Sequence, residues 1–317
     1  MRVLVTGGTG YLGRAIVRTL DARGHAPVIF ARSAEASGLP GTAISGDVRD
    51  ESALERSARG CDAVCHTAAL VSVWRRRPRD FDDVNVGGLA NVLRVAARLR
   101  IPRIVYTSSF LALPPDGGDT PRRWNDYQRT KVIADGVAAR AVERGAPLVR
   151  VYPGVIYGPG RLTEGNLIGR FIADHLAGRL PGLVGANRRW SYAYVDDVAQ
   201  GHVAALEEGR IGARYFLGGE NAPQIRLFEI VRDLTGCRMP RRIPTALAAI
   251  VALANEIRAG LFGVPPRLTL GTLEILDRNW MLASDLATTE LGYRITPLKE
   301  GVRRVVSELK PDVNPRV

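Results

Sequence analysis

Val3-Leu4-Val5-Thr6-Gly7-Gly8-Thr9-Gly10-Tyr11-Leu12-Gly13 is the stretch on which the fold of this chain turns. Arg2–Thr6 is a short, apolar run that reads as a buried strand, and Tyr11 opens a segment of helical length. A glycine cluster between strand and helix means more than one elsewhere. Gly7 and Gly8 permit a tight turn, Gly10 lets a ligand approach the backbone, and Gly13 allows close helix–sheet packing. The helix start presents free N–H groups and a partial positive charge. Gly7, Thr9, Gly10, Tyr11, Leu12 and Gly13 are therefore the candidate contacts for a pyrophosphate.

Outward from that loop the same alternation repeats. Pro27–Ala31, Thr42–Val48, Ala63–Ala69, Arg103–Ser109 and Leu148–Tyr152 read as further strands, with long helical stretches at Asp80–Arg100 and Tyr127–Gly145. Nearly continuous apolar strands in a βα rhythm predict an α/β fold: a Rossmann-type, doubly wound parallel sheet covered on both faces. After about residue 155 the rhythm weakens, Pro and Gly become frequent, and only Arg214–Leu217 looks like another strand. The expected organisation is a dinucleotide-binding domain over 1–155 and a smaller, mainly helical substrate lobe over 156–317, interleaved with returning sheet elements near 191–220.

Composition narrows the class. Hydrophobic residues make up 46% of the 317 and charged residues 24%, as in an ordinary globular enzyme. The net charge of +12 rests on arginine, with lysine only at 131, 299 and 310, and no basic stripe is interleaved with stacking aromatics, so nucleic acid is not expected as a partner. Cys61, Cys65 and Cys237 show neither CxxC spacing nor a histidine cluster, so no metal site is expected. The apolar run Ala246–Ala254 falls short of the ~20 residues that span a bilayer; it reads as a buried or pocket-covering helix, with attachment to a membrane surface as the alternative. The amino-terminal sequence goes straight into a strand without a leader pattern, and the expected localisation is cytoplasmic.

An acid at the end of the second strand would favour NAD through the ribose 2′-hydroxyl. The segment here is Phe30-Ala31-Arg32-Ser33, and Arg32 can meet a 2′-phosphate with a bidentate fork. NADP(H) is therefore favoured and NAD(H) stays open, as does a reading of Arg32 as solvated surface. Asp47, followed by Val48, is placed either to accept from an adenine amino group or to cap the helix starting near Asp50.

Tyr127-Gln128-Arg129-Thr130-Lys131 puts a phenol and an ammonium four residues apart, on one helical face. With three lysines and nine tyrosines in the chain, chance supplies that spacing roughly 0.09 times. A neighbouring cation favours the phenolate, so Lys131 is expected to lower the proton affinity of Tyr127, and its compact ammonium fits ribose hydroxyls. Thr107-Ser108-Ser109 closes the fifth strand at the sheet edge where open α/β folds bind ligands, and Ser109 can hold a substrate oxygen. Ser109, Tyr127 and Lys131 form the candidate catalytic set.

Together these motifs resemble the extended short-chain dehydrogenase/reductase family (NAD-dependent epimerase/dehydratase family) over nearly the whole chain. His66-Thr67-Ala68-Ala69-Leu70 looks like its fourth-strand cofactor motif, Asn85 like its helix asparagine, and Tyr152-Pro153-Gly154-Val155 like the segment passing the nicotinamide. The resemblance implies adenine contact by Asp47 and cofactor contacts by Ala68, Ala69, Leu70, Asn85, Thr107, Tyr127, Lys131, Tyr152, Pro153, Gly154 and Val155. Ala68-Ala69-Leu70-Val71 with Trp74, Tyr106-Thr107-Ser108-Ser109-Phe110, Gly160-Arg161-Leu162-Thr163 and Leu217-Gly218-Gly219-Glu220-Asn221 look most like the dihydroflavonol-reductase-like subgroup and, within it, plant farnesol dehydrogenases. The latter use NAD despite an arginine at the second-strand end. The implied reaction is hydride transfer between nicotinamide and an apolar secondary or allylic alcohol or its ketone or aldehyde, with Val71, Trp74, Phe110, Tyr157, Leu167 and Trp190 as pocket candidates.

Val155 stands where sugar-nucleotide epimerases of the family place an asparagine for a diphosphate, and it cannot donate a hydrogen bond. An epimerase or dehydratase retaining NAD is thus the second reading, and a non-catalytic dinucleotide sensor the third. Arg75 beside Trp74, Arg122-Arg123-Trp124 and Arg188-Arg189-Trp190 suggest a basic aromatic rim that steers an anionic substrate, against a plain reading as solvated arginines. The family resemblance further implies a homodimer through the helices after strands four and five.

Overall fold

The computed structural model describes residues 1–309. Strand β1 (Arg2–Thr6) is buried on both faces at Val3, Leu4 and Val5, which is why its sequence is an unbroken apolar run. It pairs in parallel with β2 (Ala26–Ala31) on one side and β4 (Ala63–His66) on the other. With β3 (Thr42–Ser45), β5 (Ile104–Thr107), β6 (Leu148–Pro153) and β9 (Arg214–Leu217), these form one seven-stranded sheet in the order β3-β2-β1-β4-β5-β6-β9. All its pairings are parallel.

Helices cover both faces. One face carries α1 (Tyr11–Ala22) and α7 (Val195–Glu207), whose Ile16, Leu20, Val198 and Val203 join a core with Val3 and Val105. The other carries α2 (Glu51–Ala58), α4 (Gly88–Arg98) and α5 (Asp126–Glu143), through Leu54, Val92 and Ala134 against Leu4 and Tyr106. This is the expected doubly wound sheet. Strand order reverses between β1 and β4, and a crevice opens there at the carboxyl ends of the strands.

The differences from expectation are informative. Three strands stop short of their apolar runs: at Ser45 instead of Val48, His66 instead of Ala69, and Thr107 instead of Ser109. The overhanging residues turn into the crevice. The helix expected over Asp80–Arg100 runs as α3 (Arg79–Phe81), a π-helical segment Asp82–Gly87 and α4, with the irregularity falling at Asn85.

The carboxyl-terminal part is helix-rich, with α6 (Leu167–Leu176), α8 (Gln224–Thr235), α9 (Thr245–Phe262), α10 (Leu270–Leu276), α11 (Asp285–Leu291) and α12 (Leu298–Leu309). It also holds a second sheet that the sequence reading missed. There β8 (Arg189–Tyr194) lies between β7 (Val155–Tyr157), parallel, and β10 (Glu220–Pro223), antiparallel. The flanking strands have three and four residues, too few to display a period. Gly154 makes the break between β6 and β7: a β-carbon there would sit 2.5 Å from the Ser191 carbonyl oxygen. Helix α7 and strand β9 return to the main sheet.

Helix α9 corrects a second expectation. Only Ala248, Ala252 and Ala259 along it are buried, while its large apolar side chains face outward. The small side chains let the helix sit close on α10 and leave the bulky ones without a partner.

Candidate active site

The glycine loop shows why the sequence there is so constrained. Gly7 has φ +73°, and a β-carbon on it would lie 2.7 Å from the Ala68 backbone; one on Gly13 would lie 2.2 Å from the Gly7 carbonyl oxygen. The first turn of α1 is capped at Gly10 without any side-chain acceptor, so its N–H groups face the crevice free to bind an anion. Loop and crevice form one cavity of about 720 Å³ that runs from Arg32 to Leu276.

At one end, Asp50 caps α2 by accepting from the Ala53 N–H at 3.0 Å, which leaves Asp47 on the cavity wall next to Val48. Arg49 holds the Asp47 carboxylate through Nε at 3.0 Å and a second nitrogen at 2.7 Å, keeping its carboxyl below the usual range. Arg32 and Ser33 line the same end, and Arg32 is exposed and forms no ion pair among the described residues.

At the middle, α5 begins at Asn125, whose side chain accepts from the Gln128 N–H at 2.8 Å. That start sets Tyr127, Lys131 and Asp135 on one helical face. Lys131 Nζ donates to the Thr107 carbonyl at 3.1 Å and lies 6.0 Å from the Tyr127 ring centre. Burial draws the Lys131 ammonium down to about 8, with the Asp135 carboxylate opposing. Asp135 in turn accepts from Ser108 Oγ at 3.0 Å and from the Tyr152 hydroxyl at 2.6 Å. Ser109 Oγ accepts from the Leu111 N–H at 3.1 Å, which fixes the hydroxyl at the cavity wall.

Tyr127 departs from expectation. Burial pushes its phenol up to about 12, with hydrogen bonding to Ser109 pulling the other way. Desolvation dominates, and the group stays a phenol.

The cavity brings together all of the expected glycine-loop contacts, Arg32, Asp47, Val48, Ala68, Ala69, Leu70, Thr107, Ser109, Tyr127, Lys131, Pro153, Gly154 and Val155, with Val71, Phe110, Leu167 and Trp190 from the pocket set. Four expected residues lie off its wall. Asn85 is buried, its Oδ1 accepting from the Leu70 N–H at 2.7 Å and its Nδ2 donating to Thr130 at 2.9 Å, so it fixes the β4 loop to α5 instead of touching a ligand. Tyr152 is buried in β6 and spends its hydroxyl on Asp135. Tyr157 packs edge-on against Tyr192 and Tyr194 in the second sheet. Trp74 sits beside the cavity, where its neighbour Arg75 takes the wall position.

The arginine–tryptophan rim does not assemble. Trp124 packs on Trp280 with Arg278 over its ring, Arg188 pairs with Asp277 at 2.8 Å, and Trp190 donates to the Arg278 carbonyl at 3.0 Å. Of the arginines in these three groups only Arg75 reaches the cavity.

Several wall residues had no sequence mark. Arg49 could have been noticed two positions after Asp47, but Ile156, Glu164, Thr272, Ile275 and Leu276 come from segments that fold alone brings here.

A doubly wound sheet whose switch-point crevice joins a glycine loop to a Ser/Tyr/Lys set defines an extended short-chain dehydrogenase/reductase. Residues 3–218 match the model of the NAD dependent epimerase/dehydratase family, and the chain belongs to that family. It is 30% identical to sterol demethylase protein B of Methylococcus capsulatus over 92% of this chain and 93% of that one. It is 31% identical to the 4-hydroxy-2-methyl-3-oxo-4-farnesyl-3,4-dihydroquinoline-1-oxide ketoreductase of Stigmatella aurantiaca, covering 92% of each. Among solved structures, that of gox2253 superposes with a TM-score of 0.82 at 31% identity, covering 98% of both chains.

Proposed function

We propose that this protein is a reductase or dehydrogenase that moves a hydride between a nicotinamide dinucleotide and an apolar secondary or allylic alcohol or its carbonyl counterpart. One observation carries the reading: Ser109, Tyr127 and Lys131 line the same cavity as the apolar side chains Val155, Leu167, Trp190 and Ile275. The two relatives bear on the substrate through their names alone, a sterol protein and a ketoreductase of a farnesylated quinoline oxide.

The chain's residues fit the dinucleotide. The crowded Gly7 and Gly13 positions and the uncapped start of α1 suit a pyrophosphate, Asp47 and Val48 an adenine, and Lys131 the nicotinamide ribose. When bound, the nicotinamide supplies the hydride acceptor or donor. Ser109 holds the substrate oxygen. Tyr127, kept as a phenol by burial, gives that oxygen a proton in reduction and takes it back in oxidation. Lys131 places positive charge beside the transfer. The Val155 side chain offers no hydrogen bond to a sugar-linked diphosphate, which favours this reading over epimerisation. Arg32, Ser33 and Arg49 offer donors for a 2′-phosphate, so the proposed cofactor is NADP(H), with NAD(H) as the alternative.

The test is consumption of NADPH and NADH, followed at the nicotinamide band, with apolar ketones and aldehydes and the reverse reaction on alcohols including farnesol. Turnover, with an NADPH preference that falls roughly tenfold in Arg32→Ser, is the expected result. Absence of turnover together with a dinucleotide that copurifies and does not exchange would move the reading to the epimerase class.

A further inference from the structure

Helix α9 presents a face that the core does not use. Leu247, Ile250, Val251, Ile257, Leu261 and Phe262 recur at helical spacing along its outer side, with Ile250 68% exposed, Leu261 72% and Phe262 73%. Such a continuous apolar stripe on a folded surface marks a contact with something. In sequence, Arg238, Arg241 and Arg242 precede α9, Arg258 lies on it and Arg267 follows it, all exposed and without an ion pair among the described residues. The one acid on the helix, Glu256, is occupied in accepting the Leu270 N–H at 2.8 Å.

We infer that α9 lies in the interface of an anionic lipid bilayer, with its apolar stripe among the acyl chains and the flanking arginines at the headgroups. Apolar outer face, unpaired cations at both ends and a low share of acids are what such a helix requires. The helix is long and apolar enough to cross a membrane by length and composition. Its geometry argues for lying flat: Ala248 and Ala259 are buried on its inner side, Ala248 packs with Val184 and Leu273, and Asn255, Glu256 and Arg258 interrupt the apolar run. A second copy of this chain is a poorer occupant. A two-fold pairing of α9 with itself sets arginines of one copy against arginines of the other in either direction.

The position also makes sense of the cavity. Helix α10 touches α9 through Leu273 and lines the cavity with Thr272, Ile275 and Leu276, so one helix separates the docking face from the substrate wall. An apolar substrate held in the bilayer would then lie one helix away from the cavity.

The experiment is sedimentation of the full chain with vesicles of phosphatidylcholine alone or mixed with phosphatidylglycerol, at low and high salt. The chain is expected to bind the mixed vesicles at least about tenfold more strongly than the neutral ones, with the difference shrinking at high salt. Ile250→Glu with Phe262→Glu should lower binding more than about tenfold, and Arg241→Gln with Arg242→Gln should remove most of the anionic preference. Melting temperature and cofactor affinity should stay unchanged in both double variants. Equal binding to neutral and mixed vesicles, undiminished binding of the apolar double variant, or no binding by the parent chain would each overturn the assignment. So would a parent dimer that Ile250→Glu with Phe262→Glu splits, since the face would then join two copies.

Discussion

The two ends of the cavity are built by different means. The glycine-loop end is made of backbone: Gly7 and Gly13 leave no room for a β-carbon, and α1 offers bare N–H groups. The opposite end is made of side chains from β7, β8 and α10, which are spread over more than a hundred residues of chain. Backbone recognition tolerates almost no substitution and serves one ligand. A wall of interchangeable apolar side chains can be retuned for many, so the two ends should respond unequally to mutation.

The largest effect expected from that contrast is at Gly13→Ala. Its new methyl would lie 2.2 Å from the Gly7 carbonyl, and overpacking of about 1–3 kcal/mol weakens the dinucleotide up to about a hundredfold by fluorescence titration. Unchanged affinity would show that the loop does not need its tight packing. At the far wall, truncation should be milder, and between the two lies the titrating centre.

Asp135→Asn probes that centre. The ammonium of Lys131, drawn to about 8 by burial, is supported by the Asp135 carboxylate; asparagine keeps an acceptor for Ser108 and Tyr152 but removes the charge. The protonated lysine is present below its pKa and lost above it. In the parent protein the reduction rate should hold to about pH 8 and fall beyond, and in Asp135→Asn the fall should begin at lower pH, with kcat at pH 8 reduced up to about tenfold. An unmoved alkaline limb would mean that Asp135 supports only the fold.

The smallest effect is expected at Leu276→Ala, on the side-chain wall. Partial loss of apolar contact should raise KM for an apolar ketone about three- to tenfold while kcat and cofactor affinity stay within twofold. A large fall in kcat would place α10 closer to the chemistry than the cavity suggests.

The same contrast explains what could be read from the chain in advance. Local devices were legible: the loop from Thr6 to Gly13, the Tyr127–Lys131 spacing and the apolar parallel strands each declare themselves within a dozen residues. What the fold assembles over distance was not. Strands β7 and β10 are too short to show a period, and Thr272, Ile275 and Leu276 look like any helix interior. Asn85 and Tyr152 lie close to ligand-facing residues in sequence, yet both point into the frame, where Leu70, Thr130 and Asp135 take up their polar atoms. For Tyr127, spacing alone suggested an acidified phenol, whereas burial reverses the direction. Helix α9 looked like core because apolar composition says nothing about which neighbours arrive.

The central claim is that Tyr127 exchanges the proton in a hydride transfer. Its most direct test is Tyr127→Phe, assayed for ketone reduction and titrated with the dinucleotide in parallel. A loss of kcat of about a hundredfold or more, with dinucleotide affinity within about threefold of the parent, is the result this account requires; retained turnover would contradict it.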